Sequence, residues 1–160
     1  MAICPLEELR ANMRPGTRLL GLDLGSKTIG LALSDPTFMV ASPIDTIRRT
    51  KFGKDAAELD RLIADRGVGG LVLGLPINMD GSEGPRCQST RQFATNLIQR
   101  GMEQPIVFWD ERLSTAAVER VLIDEADMSR RKRADVVDKM AAAYILQGAL
   151  DRLRRIADDS

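Results

Sequence analysis

Histidine is absent from the 160 residues. Its absence rules out His-based catalytic triads and His-ligated zinc, and leaves carboxylates as the obvious metal ligands. Cysteine is nearly absent too. Cys4 and Cys87 are the only two, which suits a reduced compartment better than a disulfide framework. Aromatic residues make up 4% of the chain, with one Trp and one Tyr, too few for a broad base-stacking platform. Formal net charge is zero, so a nucleic-acid surface must be a local patch rather than a global field. The opening stretch, MAICPLEELRANMRPG, lacks the apolar run of about 7–15 residues that a signal peptide needs. No window approaches the ~20 apolar residues of a membrane helix. The expected setting is the cytoplasm, with no membrane partner.

What is present fits one globular domain over residues 1–160, with 1–17 as a leader segment. Arg18 to Asp35 reads as two apolar strands around a tight Gly25-Ser26-Lys27-Thr28 turn. Val40 to Arg48 offers a third strand, exposed on one face. Ala56, Leu59, Leu62 and Ile63 recur at helical spacing, and Gly67 follows as a stop. Gly70 to Leu75 is a continuous apolar run, as in a strand buried on both faces. Arg86 to Arg100 predicts a helix, and Ile106 to Trp109 a second buried strand. A helix capped by Ser114 follows, then a basic loop over Met128 to Ala134, then a last helix from near Asp135 to Ile156. A meander of three strands followed by two β–α alternations predicts an α/β fold. It has a mixed five-stranded sheet with helices on both faces and the later strands parallel to the first.

Three acids stand out in this frame. Asp23 ends the first apolar run, where a buried carboxylate is costly unless paired or bound to a cation. Glu111 follows the last one. In open α/β sheets, sites gather at the carboxyl ends of the strands, so parallel neighbours would bring both acids to one rim. The final helix carries an apolar stripe through Ala141, Ala142, Ile145, Ala149, Leu153 and Ile156 with Asp138 at its head. Asp135 lies one turn earlier on much the same face, and the pattern does not choose between them. Carboxylates gathered at one rim repel unless a cation neutralises them or they share protons. Oxygen-only ligation suits Mg²⁺ or Mn²⁺, and metal-assisted phosphodiester cleavage needs no histidine. The plain alternative has Asp138 near a helix start as a cap and Glu111 paired with Arg112.

Two further stretches could hold phosphate. Asn78 to Gly84 links a strand to a helix, and its backbone N–H groups could cradle an anion. Arg130, Arg131, Lys132 and Arg133 form a cationic run, which would bind phosphates in a salt-sensitive way or simply face solvent.

Four segments, GLDLGSKTIGLALSD, GLPINMDGSEGP, DERLSTAAVER and DVVDKMAAAYILQGAL, together resemble the YqgF-type family of Holliday junction resolvase-like, pre-16S rRNA nucleases. The resemblance runs from Leu19 to about Leu150, with all four motifs in the family's order. It implies an RNase H-like fold and a metal-dependent nuclease maturing the 5′ end of 16S rRNA in ribosome biogenesis. Its metal-binding, catalytic carboxylates fall on Asp23, Glu111 and Asp138, resolving the choice against Asp135. Lys27, Arg112 and the Asn78–Gly84 loop, with Asn78 and Ser82, match positions near the site. Mg²⁺ or Mn²⁺ is the implied cofactor. The implied partners are pre-16S rRNA and ribosomal precursor particles, with branched DNA second; the chain itself would be a monomer or weak dimer. The Gly-x-Asp-x-Gly-Ser start also resembles the first phosphate loop of actin-like ATPases and sugar kinases. Those need two such domains, and 160 residues are too few. A non-catalytic ribosome-assembly factor would keep the basic run but not need the acids.

Overall fold

The computed structural model describes the backbone of residues 3–113 and 130–158, and the side chains of these except 113 and 130–138. The expected helix after Ser114 lies outside the described residues. The sequence of Leu6 to Met13 predicts a short leader helix closed by Pro15-Gly16. The segment instead folds as two short 3-10 turns, Leu6–Glu8 and Arg10–Asn12, with Leu9 between them fully buried.

Five strands follow the expected order of types: β1 (Arg18–Leu24), β2 (Thr28–Ser34), β3 (Ala41–Arg48), β4 (Val68–Leu75) and β5 (Ile106–Asp110). Helix α1 (Phe52–Arg66) joins β3 to β4, and α2 (Pro85–Gln99) joins β4 to β5. The last helix, α3, spans Arg130–Asp158. It therefore begins earlier than the sequence pattern suggests, and Arg130–Arg133 occupy its first turn rather than a loop. Arg and Lys are good helix formers, and neither Gly nor Pro interrupts the chain there.

The sheet order is β3-β2-β1-β4-β5. Strands β1, β2 and β3 form the antiparallel meander, while β4 is parallel to both β1 and β5. Strand β4 is buried along its whole length. Strand β5 is an edge, half-buried over its last three residues. The N-terminal segment covers its start through an Ile3–Ile106 bridge.

Alternating side chains build two cores. Leu20, Leu22, Ile29, Leu31, Leu71 and Leu73 pack beneath α1 and α2. Leu19, Ala32, Val72 and Val107 pack beneath α3 through Ala142, Ile145, Leu146 and Ala149. The predicted stripe is thus the face α3 buries. Its close approach depends on Gly21: a Cβ there would lie 2.8 Å from Leu146 Cβ and 3.1 Å from the Ala142 carbonyl oxygen. Further along α3, Gln147 ties the helix to the β2–β3 turn and the start of β3. It accepts the Ala41 N–H at 2.8 Å and donates to the Met39 carbonyl at 3.1 Å. That turn also holds Phe38 at φ 60°, a left-handed conformation rare for a bulky residue. Asp35 fixes it by accepting the Thr37 hydroxyl and the N–H groups of Val40, Met39 and Thr37. The hydroxyl bond first, then the backbone bonds, hold its carboxyl well below the usual range.

Candidate active site

Asp23 lies one residue from the carboxyl end of β1, on the face beneath α3. Its antiparallel partner on β2 is Gly30. On the other side, one residue on from the Leu22–Leu73 rung, it stands level with Gly74 of β4, which in turn pairs with Trp109 of β5. The carboxylate is therefore flanked by glycine on both neighbouring strands. The turn beneath it is clamped by Arg49 from the end of β3. The Arg49 guanidinium donates to the Gly25 carbonyl at 2.7 Å, its N–H donates to the Lys27 carbonyl at 2.8 Å, and its head lies 5.6 Å above the Phe93 ring. Nothing in the local sequence distinguishes Arg49 from any basic residue ending a strand.

Glu111 opens a 3-10 turn, Glu111–Leu113, directly after β5. The two acid-bearing strands are not neighbours as expected, because β4 runs between them. Sequence order does not reveal lateral order in a sheet. Glu111 nonetheless reaches Asp23, and the two carboxyl groups share a hydrogen bond. Burial, then the Asp23 charge and that shared bond, push the Glu111 carboxyl up to about 8; the Arg86 charge opposes them. Arg86 is exposed in the first turn of α2. It is a cation near the acids that sequence reasoning passed over, since one Arg in a helical run carries no signal.

Glu111 does not pair with Arg112. The Arg112 guanidinium forks onto Asp110 instead, with Nε 2.9 Å and Nη2 2.6 Å from Asp110 Oδ2. This lowers the Asp110 carboxyl and raises the guanidinium. The remaining nitrogen, Nη1, faces the loop, 3.9 Å from where a Gly81 Cβ would sit. Lys27 is exposed in the β1–β2 turn.

The Asn78–Gly84 loop uses part of its backbone internally. The Asn78 N–H donates to Ser82 O at 3.0 Å and the Gly81 N–H to Asn78 O at 2.8 Å. Asp80 accepts both the N–H and the hydroxyl of Ser82, which holds its carboxyl below the ordinary value. Asn78 Nδ2 completes the knot on Ser82 Oγ at 3.1 Å. Three donors of the expected phosphate cradle are therefore committed within the loop. Glu83 then pairs bidentately with Arg91 at 2.7 and 2.8 Å, and Arg91 lies 5.0 Å over the Phe108 ring.

Helix α3 crosses the sheet with Ala142 and Leu146 over Gly21 and its far end beside Met39. Asp138 stands one turn before Ala142, toward the end of β1 that carries Asp23. The side chains of Asp138, Asp135 and Arg130–Arg133 lie outside those described. Among the described residues no group of three potential metal ligands gathers; Asp23 and Glu111 make a pair. Their all-oxygen donor set fits a hard divalent cation. As they stand, two touching carboxyls must keep a proton between them. Both cysteines are free thiols, with Cys87 buried.

A family profile described as "RuvX: Holliday junction resolvase" matches residues 17–152. The chain belongs to this family. A relative in Rhodospirillum centenum, named "Putative pre-16S rRNA nuclease", is 64% identical over 97% of this chain and 84% of its own. One of the same name in Phenylobacterium zucineum is 61% identical over 98% and 100%. Among solved structures, Thermus thermophilus RuvC in complex with a Holliday junction substrate matches at TM-score 0.53 and 12% identity, over 86% of this chain and 96% of that one. Likeness at that identity concerns the fold. The RuvX-family chain has the RNase H-like architecture that its motifs imply, with Asp23 and Glu111 at the carboxyl ends of β1 and β5.

Proposed function

We propose that this chain is a divalent-metal-dependent nuclease that hydrolyses phosphodiester bonds in maturing the 5′ end of pre-16S rRNA. The setting is the cytoplasm; among the described residues no helix is long and apolar enough to cross a membrane. One observation carries the reading. Two carboxyls from separate strands are brought into contact at the strand ends, at a cost in repulsion and burial that a bound cation would cancel. Asp23, Glu111 and Asp138 would hold Mg²⁺ or Mn²⁺. Such an ion supplies Lewis acidity and offsets charge developing on the phosphate. The names of the relatives support an RNA substrate.

The chain's own residues divide the remaining work. Asp23 and Glu111 fix where the scissile phosphate must lie. Arg86 and Lys27 are the exposed cations positioned to take up negative charge as water attacks phosphorus. Arg112 is held by Asp110 and lines the loop, where it orients backbone phosphates rather than the reacting one. Arg130, Arg131, Lys132 and Arg133 put four cations in the first turn of α3, where no acid accompanies them. Cations there oppose the helix dipole, and phosphates lying across that end would relieve the opposition. Asn78 and Ser82 shape the loop beside the substrate path.

The test is cleavage of precursor rRNA with and without Mn²⁺ or Mg²⁺. Activity should require the ion, and Asp23→Asn, Glu111→Gln and Asp138→Asn should each lose most of it while folding normally. Cleavage that survives chelation, or full activity in Asp23→Asn, would overturn the mechanism. The family description favours a second substrate, branched DNA. Competition between a four-way junction and precursor rRNA for the same protein decides between them.

A further inference from the structure

We infer that Gly74 is a positioning residue for the metal site: its missing side chain is the passage through which Glu111 crosses β4 to reach Asp23. The inference rests on the nuclease reading and deepens it. Glu111 follows β5, Asp23 sits on β1, and β4 lies between. Any side chain on β4 facing α3 at the height of Asp23 would stand in the way, and Gly74 occupies that place. A Cβ on Gly74 would lie 2.6 Å from Glu111 Oε1 and 3.0 Å from Glu111 Cγ. Non-bonded carbons normally approach to about 3.5–4.0 Å, so Glu111 could not keep its path over an alanine. The third neighbour is Ile145 Cδ1, at 2.5 Å, which roofs the passage from α3.

How such a clash would relax decides its meaning. Glu111 and Ile145 both meet Gly74 with the far parts of flexible side chains. Either can turn aside without moving a backbone. Gly21 differs, because its neighbours are Leu146 Cβ and a helix carbonyl, which move only if α3 moves. A methyl group at 74 should therefore leave the fold standing and displace the Glu111 carboxylate from Asp23. The glycine is kept for the site more than for the packing.

Ile145 gives the means to separate the two. Valine lacks the Cδ1 atom that would clash, so Gly74→Ala/Ile145→Val keeps only the conflict with Glu111. Gly74→Ala, the double variant and Glu111→Gln are compared with the wild-type protein in three measurements. Melting without metal reads the fold. Mn²⁺ titration, followed by calorimetry and by emission of Trp109, the single tryptophan and the strand partner of Gly74, reads the site. Steady-state cleavage separates kcat from KM. The expected result is a double variant that melts close to wild type yet binds Mn²⁺ about 10–100-fold more weakly, as when a group that orients a metal ligand is removed. Its kcat should fall by a similar factor with KM for the nucleic acid little changed. Wild-type Mn²⁺ affinity in the double variant overturns the inference, whether or not Gly74→Ala alone is unstable. If Glu111→Gln has lost Mn²⁺ binding in that same experiment, the nuclease site stands and only the role of Gly74 falls. Undiminished Mn²⁺ binding in Glu111→Gln removes the site itself, and the inference with it.

Discussion

Replacing Glu111 by Gln should make the metal-free protein more stable at neutral and alkaline pH. Glutamine keeps the shape of a protonated glutamate and can still donate to Asp23, but it never ionises. In the unfolded chain Glu111 titrates near 4.5; in the fold it titrates at about 8, chiefly because of burial and then because Asp23 is beside it. Between those values the native protein holds a proton that the unfolded chain has released. Stability must then fall as pH rises through this window. At about 1.4 kcal/mol per pH unit the fall amounts to at most about 5 kcal/mol. For a chain of this size, each kcal/mol is worth roughly 2–4 °C in Tm.

Among the described residues, Asp35, Asp80, Glu83 and Asp110 all titrate below their ordinary values, so their contributions are lost only toward acid pH. The Cys4 and Cys87 thiols, pushed up by burial, act chiefly above the window and equally in both proteins. Urea or thermal unfolding in EDTA, from pH 5 to 8.5, should give a falling curve for the wild type and a nearly level one for Glu111→Gln. The curves should diverge most at the alkaline end. Adding Mn²⁺ should reverse the wild-type slope, because the ion competes with the proton for the same oxygens. Parallel curves in EDTA, or a Gln variant less stable at pH 8.5, would refute the reasoning.

Neutralising Arg130, Arg131, Lys132 and Arg133 together should weaken RNA binding and flatten its salt dependence, by about 0.7–0.9 in log–log slope for each phosphate left without its cation; an unchanged slope rejects a role in phosphate binding. Arg86→Gln should lower kcat more than it raises KM, if its charge stabilises the phosphate during attack, and single-turnover cleavage measures this. Gly21→Ala should destabilise the fold by about 1–3 kcal/mol, as overpacking does, since its new Cβ meets Leu146 Cβ and the Ala142 carbonyl; denaturant midpoints check it. Asp110→Asn should release Arg112 from its fork, which tighter RNA binding at low salt would reveal.

Much of the framework could be read directly, because each element announces itself by its own local period. Leu19–Leu22 and Gly70–Leu75 are apolar runs too short for helices, and the α3 stripe from Ala141 to Leu153 has a period no strand shares. What could not be read is lateral. The insertion of β4 between β1 and β5 depends on which crossover lands where, and no local pattern encodes that. By sequence Arg112 reads either as the partner of Glu111 or as a cation for phosphate at the site, and Asp110 carries no signal as its partner. The bend after β5 selects Asp110, because it folds the i+2 guanidinium back onto that carboxylate. The four basic residues suggested a solvated loop through their mutual repulsion, yet their helix propensity joins them to α3.

Gly74 shows why site geometry is harder to read than a fold. In the run Gly70 to Leu75 it has the look of a small residue tolerated between leucines, and a strand made of β-branched residues there would satisfy every local rule better. Its reason emerges only when three separate facts are combined: the order of the strands, the height of Asp23, and the reach of a glutamate leaving β5. The same combination explains why the second acid is Glu rather than Asp. The carboxyl group must cross the full width of β4, with neighbouring strands about 4.8 Å apart, and an aspartate would stop one methylene short. Glu111→Asp should therefore behave as a loss of the Asp23 interaction even though charge and chemistry are kept. The pH slope in EDTA should shrink toward that of Glu111→Gln, while Mn²⁺ affinity falls. A Glu111→Asp protein with the wild-type slope and wild-type Mn²⁺ affinity would mean that reach across β4 is not what selects this residue.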